Sequence, residues 1–575
     1  MIMTEIRRRP AGVPGALGAN LHPLLRRVYA ARGISCEEDL DLSLDRLLPV
    51  SSLAGVEAAA SLLAEHQAAG RVLVIGDFDA DGATGSALLV RALRALGFAQ
   101  VDFLVPNRFR FGYGLTPEIV ALAAARRPSL IVTVDNGISS VGGVEAARAL
   151  NIPVLITDHH LPGAALPRAA VIVNPNLEDS MFASPALAGV GVAFYVVAAL
   201  GRALGRADFR ASDLLDLVAL GTVADLVPLD RNNRVLVAQG LRRIRAGRCV
   251  PGIRAMVELA GRRLDQITAA DLGFVVAPRL NAAGRLTDMS IGIACLLADD
   301  AGQAMRFAAE LNKLNEERRE IEQRMQHEAK DLAAALRFDT AGGEMLGLCL
   351  FDDTWHQGVV GLVAGRIKDR LHRPVIAFAR AEEGTLRGSA RSVAGINIRD
   401  VLDGIATRHP GLIDKFGGHA MAAGMTLQES SFERFRSAFA AEIAARGDLD
   451  SLAGVIHSDG ELSAPELTVE TARMLRGAGP WGQGFPEPLF DGAFKITDTR
   501  IVGDRHLKLQ LRAASTGSAA SGAALDAIAF GYVGGADEDP ALRPGAEVRL
   551  AYRLEVNEYN GMERVQLNCQ HLKLG

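Results

Sequence analysis

Three short apolar runs, each ending in acid, constrain this chain more than any other feature. RVLVIGDFDADG (71–82), SLIVTVDNG (129–137) and IPVLITDHH (152–160) each read as a strand followed by carboxylates, and AAVIVNPN (169–176) is a fourth run of similar form. The runs are nearly continuous in apolar character, as expected for strands covered on both faces. Helical stretches such as SALLVRALRALG and VGGVEAARAL lie between them. Strands alternating with helices predict βαβ units, hence an α/β fold with a parallel sheet. In open sheets of this kind ligands bind outside the carboxyl ends of the strands. Three acidic clusters are therefore expected to converge on one crevice.

Asp77, Asp79 and Asp81 form DxDxD directly after the first run, with Gly82 next. A regular strand would send alternate side chains to opposite faces. A turn can aim all three at one point, and Gly82 permits it. Asp135 sits in DNG, Asp158, His159 and His160 close the third run, and Asp225 lies in TVADLVPL. A lone Asp at a strand end is most often a helix cap or a turn residue. Three clusters at successive strand ends would require that bland explanation to hold three times independently. Carboxylates 77, 79, 81, 135 and 225 cannot share one crevice unless cations neutralise them. Hard oxygen ligands with a few imidazoles and no thiolate favour Mn²⁺ or Mg²⁺. That many ligands suit two metals, the usual device for in-line phosphoryl displacement. An EF-hand reading of DFDADG fails because no Glu follows at the required loop position. These five Asp also account for the whole formal net charge of −5. An acidic balance of this origin does not exclude a nucleic-acid substrate.

At 575 residues the chain has room for three to four domains. The first 50 residues are helical in character, and Arg7, Arg8 and Arg9 read as part of a solvated basic arm. Residues 186–300 look mostly helical. From 303 to 335 runs a charged helical segment without Gly or Pro, in which Phe307, Leu311, Leu314, Ile321, Met325 and Leu332 fall near heptad spacing. It is too short for a sustained coiled coil and reads better as one long helix joining two domains. A second strand–helix–strand pattern follows. After about 450 come roughly five short alternating strands, for which an OB-type barrel is the best match, with STGSAASGAA (515–524) as a loop. The expected partition is an N-terminal extension (1–50), a first α/β domain (51–302), a connecting helix (303–336), a smaller α/β domain (337–448) and a barrel (449–575). Five scattered Cys without CxxC spacing argue against a disulfide framework or zinc ribbon and fit a reducing, cytoplasmic setting. The opening MIMTEIRRRPAGVPG lacks the apolar stretch of a secretory leader, and no uninterrupted apolar window is long enough to suggest a membrane span.

DFDADG, VDNG, TDHH and ALGTVADLVPL, in that order, closely resemble the motifs of the DHH phosphoesterase superfamily. PNRFRFGYGL (106–115) and APRLNAAGRL (277–286) resemble its bacterial single-strand-specific exonuclease branch. WHQGVVGLVAGR (355–366) and FGGHAMAAGM (416–425) resemble the companion DHHA1 domain, and GPWGQGFPEPLF (479–490) and NEYNG resemble the OB region of that branch. The resemblance implies that Asp79, Asp81, Asp135, His159 and Asp225 hold two divalent cations, Mn²⁺ or Mg²⁺, with Asp135 bridging. Asp77 matches the first acid of the motif, either as a ligand or behind one. By the same resemblance His160 orients the scissile phosphate or shuttles a proton, and Asp158 orients His159. Arg108, Arg279 and Arg391 are candidate phosphate contacts, Ser389 a candidate 5′-phosphate contact, and His419 stands in a glycine-rich turn that lets backbone approach the strand.

The implied activity is 5′→3′ degradation of single-stranded DNA to 5′-mononucleotides, in DNA recombination and repair. The implied arrangement is a parallel-sheet DHH domain facing a DHHA1 domain across a groove. The barrel would add strand affinity, with Phe530, Tyr532, Tyr552 and Tyr559 available for stacking, though each reads first as core. A helicase and a single-strand-binding protein are protein partners such an activity admits, and a monomer suffices. Smaller superfamily members hydrolyse oligoribonucleotides, cyclic dinucleotides or pyrophosphate, which need no third domain. A scaffold that has lost its ligands fits poorly with a full ligand set, and a generic two-metal phosphatase would ignore strandedness.

Overall fold

The structure is a computed structural model that describes residues 5–13, 15, 17, 18, 20–107, 111, 113–339, 346–381, 384–446, 454–503, 506–513, 524–532, 542–559 and 561–574, the side chains of 332–339 and 559 excepted. Arg108 and most of 515–524 lie outside the described residues. The chain forms two compact units. One gathers Arg8–Asn312 and His457–Gly575; the other holds Lys313–Ile456 and the residues before Arg8. The boundary falls inside the long helix foreseen for 303–335, which runs Ala301–Asp339.

In the larger unit the predicted sheet is present: β1 (Arg71–Gly76), β2 (Gln100–Leu104), β3 (Leu130–Val134), β4 (Val154–Thr157) and β5 (Val171–Val173). All neighbours are parallel, in the order β2-β1-β3-β4-β5. β1 and β3 are buried along nearly their whole length, which explains their uninterrupted apolar sequences. β2 is absent from the sequence expectation. It is a half-exposed edge strand, and Asp102 interrupts its apolar pattern. Helices α1 (Ala80–Ala95), α2 (Pro117–Ala125), α3 (Val141–Ala149) and α4 (Gly189–Ala203) cover the two faces. Leu73, Ile75, Ile131 and Ile156 pack with Ile119, Val120 and Val144 on one face. On the other, Gly85 of α1 lies so close to Val134 that an added Cβ would come within 2.8 Å of it. The strand order reverses beside β1, so the ends of β1 and β3 form a topological switch point.

The same unit contains the expected barrel: β11 (Phe490–Val502), β12 (His506–Ala513), β13 (Leu525–Ala529), β14 (Glu547–Tyr559) and β15 (Met562–Leu574), numbered after the five strands of the smaller unit. They close in the order β11-β12-β13-β15-β14, with β14 pairing back to β11 and β13 parallel to β15. Tyr552 is interior, packed on Phe490 and Phe494. Phe530 is exposed beside His506.

The N-terminal segment departs from the solvated helical reading. It contains a strand (Glu5–Arg8), a short helix (Pro23–Ala30) and several 3₁₀ turns. Arg8 grips both oxygens of buried Asp491 at 3.0 Å, and Arg32 grips Asp459 at 2.8 and 2.9 Å. These acids lie far downstream, so no local pattern announces the pairing.

The smaller unit is a five-stranded mixed sheet: β6 (Leu348–Phe351), β7 (Val375–Arg380), β8 (Thr385–Arg391), β9 (Lys415–Gly418) and β10 (Ala422–Gln428), in the order β9-β10-β8-β7-β6. Only β6 and β7 are parallel, joined by helix Val360–Leu371 as the sequence pattern predicts; the remaining neighbours are antiparallel. Phe378, Ile398, Leu402, Phe435 and Phe439 form its core.

Candidate metal centre

The acids gather at the carboxyl ends of the sheet strands. β1 ends at Gly76 and the chain turns through Asp77 to Asp79, whose side chain caps α1 by accepting from the N–H groups of Asp81 (3.0 Å) and Gly82 (3.1 Å). This is the turn that DxDxD required. Asp81 is buried, and its carboxylate accepts from the first amides of α4, Gly189 at 2.7 Å and Val190 at 3.0 Å. The positive end of the α4 dipole thus holds one acid in place. Asp135 follows β3 with φ at +61°, rare for a non-glycine residue. α4 begins so close to it that a Cβ on Gly189 would lie 2.7 Å from the Asp135 Cβ. Glycine is therefore required there. Asp225 closes helix α5 (Leu215–Ala224).

His159 joins the clusters. Its Nε2 lies 3.0 Å from Asp135 Oδ1, 3.4 Å from Asp225 Oδ2 and 4.0 Å from Asp81 Oδ2. Three groups of donor atoms lie within 4.8 Å of one another: Asp77, Asp79 and Asp135; Asp81, His159 and Asp225; and Asp135, His159 and His160. The first two groups share no residue, and the third links them through Asp135 and His159. The donor set fits a pair of hard cations. Two further observations support the fit. Asp135 Oδ1 is buried and, among the described residues, receives no hydrogen bond. Burial, and then the charges of neighbouring acids, push the Asp81 carboxyl up to about 7 and those of Asp135 and Asp225 well above the usual range. Such a cluster must take up either protons or cations.

One expected role changes. Asp158 meets His159 through the backbone N–H (2.8 Å), but meets His160 through the ring, its Oδ1 lying 2.8 Å from Nδ1. It also accepts from the backbone N–H groups of His160 and Ile138. Asp158 therefore orients His160. Burial alone would lower the His160 pKa, but the Asp158 hydrogen bond and charge outweigh it and push it up to about 9. Asn174 and Asn176 hold the carbonyls of His160 and His159.

Arg279 also differs from expectation. It is buried, and its Nε donates to Asn312 at 3.1 Å and its Nη1 to the Val275 carbonyl at 2.5 Å. Its helix, α6 (Ala277–Leu286), instead serves the acid turn: Asn281 accepts from the Ala80 N–H at 2.8 Å, and a Cβ on Gly284 would meet the Phe78 carbonyl at 1.8 Å. Tyr113 is a further residue not singled out from the sequence, although it lies within a quoted segment. Its hydroxyl donates to the Asp135 carbonyl at 3.2 Å and lies 3.2 Å from His160 Nδ1. In the smaller unit, Ser389 and Arg391 stand together on β8, Arg391 Nη1 donating to Ser389 Oγ at 3.0 Å. A Cβ on Gly361, in the first turn of helix Val360–Leu371, would come within 2.9 Å of both side chains. His419 is exposed in the β9–β10 turn, its N–H donating to the Ala422 carbonyl.

Comparison with known proteins matches three family models to these parts: the DHH family N-terminal domain over residues 71–222, the DHHA1 domain over 342–445 and the RecJ OB domain over 458–571. The single-stranded-DNA-specific exonuclease RecJ of Dickeya dadantii is 52% identical over 586 residues, covering 99% of both chains. The chain belongs to the RecJ family. The RecJ of Escherichia coli is also 52% identical, with 98% of both chains covered. A RecJ crystal structure from Thermus thermophilus, in complex with Mn²⁺, matches with a TM-score of 0.78 at 32% identity, over 96% of this chain and 76% of that one. The Mg²⁺ complex of the Thermus protein gives 0.72 at 31% identity. The parallel-sheet, DHHA1 and OB parts described above are thus those of the RecJ fold.

Proposed function

We propose that this chain is a single-stranded-DNA-specific exonuclease that degrades its substrate 5′→3′ to 5′-mononucleotides, with Mn²⁺ or Mg²⁺ as cofactor. The observation that carries the reading is the pair of cation-fitting groups linked through Asp135 and His159, in a chain similar along nearly its whole length to RecJ exonucleases. Asp77, Asp79 and Asp135 would hold one ion, and Asp81, His159 and Asp225 the other. Bound there, the ions would neutralise the acids, polarise the phosphodiester and lower the pKa of an attacking water.

The remaining steps belong to the chain's own groups. His160, kept protonated by Asp158, donates to a phosphate oxygen and offsets the charge that builds up there. The Tyr113 hydroxyl, 3.2 Å from Nδ1, helps hold the ring. Ser389 and Arg391 supply a hydroxyl and a guanidinium fork for the terminal 5′-phosphate, and His419 and Arg108 add contacts along the backbone. Phe530 is exposed on the barrel for base stacking. Arg279 keeps a supporting role through its helix. The reading includes the partition 51–302, 303–336, 337–448 and 449–575, a monomer working in the cytoplasm during recombination and repair, and a helicase and a single-strand-binding protein as partners.

The deciding experiment uses 5′-labelled and 3′-labelled single strands with Mn²⁺, beside matching duplex and RNA. Immediate release of the 5′ label as mononucleotide, gradual shortening of the 3′-labelled strand and arrest by chelator are expected. Cleavage of short RNA or a cyclic dinucleotide in place of DNA would give the chemistry a different substrate. No cleavage with any divalent ion would point to a scaffold.

A further inference from the structure

A cleft of about 400 Å³ opens in the larger unit, and none of the cluster's acids or histidines lines it. Its lip begins at Leu226, the residue after Asp225. Leu226 and Phe274 are 64% and 72% exposed, unusual for side chains of this size. Val223 and Trp481 continue the apolar wall. Trp481 has little free face to offer, since Phe485 stacks on it at 5.2 Å and the Arg32 guanidinium lies over it at 5.4 Å. The open aromatic plane belongs to Phe274.

Arg242, Arg245 and Arg476 also line the cleft. Arg245 Nε donates to the Ile267 carbonyl at 2.8 Å and Arg476 Nη2 to the Gln266 carbonyl at 2.7 Å. Adjacent carbonyls therefore hold two guanidiniums at one end. Among the described residues, no carboxylate oxygen lies within 4.0 Å of these three arginines. Glu487, the acid in the cleft wall, is engaged by Arg553 at 3.2 Å. Burial, followed by the charges of Arg476 and Arg242, lowers the Arg245 pKa, and the nearby Asp271 carboxylate offsets only part of that. Like charges held together without a contacting carboxylate cost stability, and an anion would relieve them. Charge concentrated at one end suits a compact dianion better than an extended acidic peptide, and the apolar wall with its exposed ring suits a flat, weakly polar group.

We infer that this cleft binds a deoxynucleoside 5′-monophosphate, with the phosphate on Arg245 and Arg476 and the base against Phe274 and Leu226. The choice of this ligand rests on the exonuclease reading, which makes it the product released beside Asp225. The cleft would hold that product next to the metal centre.

The test is a calorimetric titration of dAMP into the full chain in chelator, which keeps the metal centre from recruiting the nucleotide. A Trp355→Phe background leaves Trp481 as the fluorescent reporter. Expected are dAMP binding with a change in Trp481 emission, weaker binding of deoxyadenosine and of inorganic phosphate, and a Kd read at Trp481 raised about tenfold or more in Arg245→Ala/Arg476→Ala. Should that pair fail to fold, Arg245→Lys/Arg476→Lys keeps the charge, loses the fork and should still weaken dAMP. The proposal is overturned if dAMP gives no heat, if both pairs bind it as the parent does, or if an aspartate-rich peptide binds and dAMP does not. Absent dAMP binding with intact DNA cleavage sinks the cleft alone; dAMP binding without DNA cleavage sinks the exonuclease reading alone.

Discussion

Two groups of buried carboxylates in the larger unit are treated in opposite ways. Asp459 and Asp491 are each clasped by arginine: Arg32 on the first, Arg8 and Arg549 on the second. Although burial works against it, hydrogen bonds from Arg8, Ser458 and Arg549 hold the Asp491 carboxyl down at about 2. At the metal centre Asp81, Asp135 and Asp225 face one another and two histidines, and their affinity for protons rises instead. The fold neutralises acids with guanidinium where it needs a joint. Where it leaves acids unneutralised, it has prepared a place for cations from solution.

Removing an acid from each place should break this contrast most sharply. Asp135→Asn keeps a residue that tolerates the left-handed backbone. DNA cleavage should fall by about 10³-fold or more, as expected when a metal-site carboxylate is lost. In chelator, however, the variant should be at least as stable as the parent, because it loses a repelled charge. Urea unfolding with and without Mn²⁺ checks both halves: the parent should gain stability with Mn²⁺ and the variant should gain much less. A large loss of stability in chelator would mean that Asp135 serves structure.

Arg32→Ala probes the other place. The guanidinium is almost wholly buried and also donates to the Val28 and Pro486 carbonyls. Its loss leaves Asp459 with Arg9 at 3.7 Å. Breaking a buried pair from one side costs about 3 kcal/mol. Chemical denaturation should show that loss, while cleavage per folded molecule stays within about twofold of the parent.

The two places should also answer pH with opposite sign. In chelator Asp81, Asp135 and Asp225 have folded pKa values above their unfolded values. The folded state then binds more protons than the unfolded one, and stability falls as pH rises from about 4 toward 7. Asp491 has a folded value below its unfolded one. Its contribution is present above about 4 and is lost as pH falls through about 2, on the order of 2 kcal/mol in all. Saturating Mn²⁺ should remove the first trend and leave the second. Stability curves against pH, with chelator and with Mn²⁺, separate them.

The same contrast explains what could be read from the sequence. Asp77, Asp79, Asp81, Asp135 and the Asp-His-His run were legible because strand ends obey a local rule: the strand is apolar, the turn after it is polar, and the parallel sheet brings the turns together. Asp225 ends a helix, so the strand-end rule does not place it; it stood out only as one more acid, in TVADLVPL, and as part of the superfamily motif. The Arg8 and Arg32 joints were not legible, because each partner lies in a segment distant in the chain and an arginine run looks the same whether it is solvated or clasped. Arg279 failed for a related reason: a motif identifies the segment but not which helix face is buried, and here Asn281 and Gly284 meet the acid turn. Asp158 neighbours both histidines in sequence, and only the ring orientation decides that it holds His160.

Tyr113 offers the smallest effect and the sharpest question about the cluster. Its hydroxyl bridges the Asp135 carbonyl and the His160 ring, so it touches both a metal-site residue and the proton donor without carrying charge. Tyr113→Phe keeps the ring that packs edge-on against Phe78 and His160 and removes only the hydroxyl. A hydrogen bond from a neutral hydroxyl to such groups is worth about 1 to 1.5 kcal/mol, which corresponds to a rate effect of about five- to tenfold. If Tyr113 positions His160, kcat should fall by that amount with KM little changed, and the His160-dependent limb of the pH–rate profile should move. If it serves only to brace the backbone after β3, unfolding in chelator should show the loss while the pH–rate profile stays where it was.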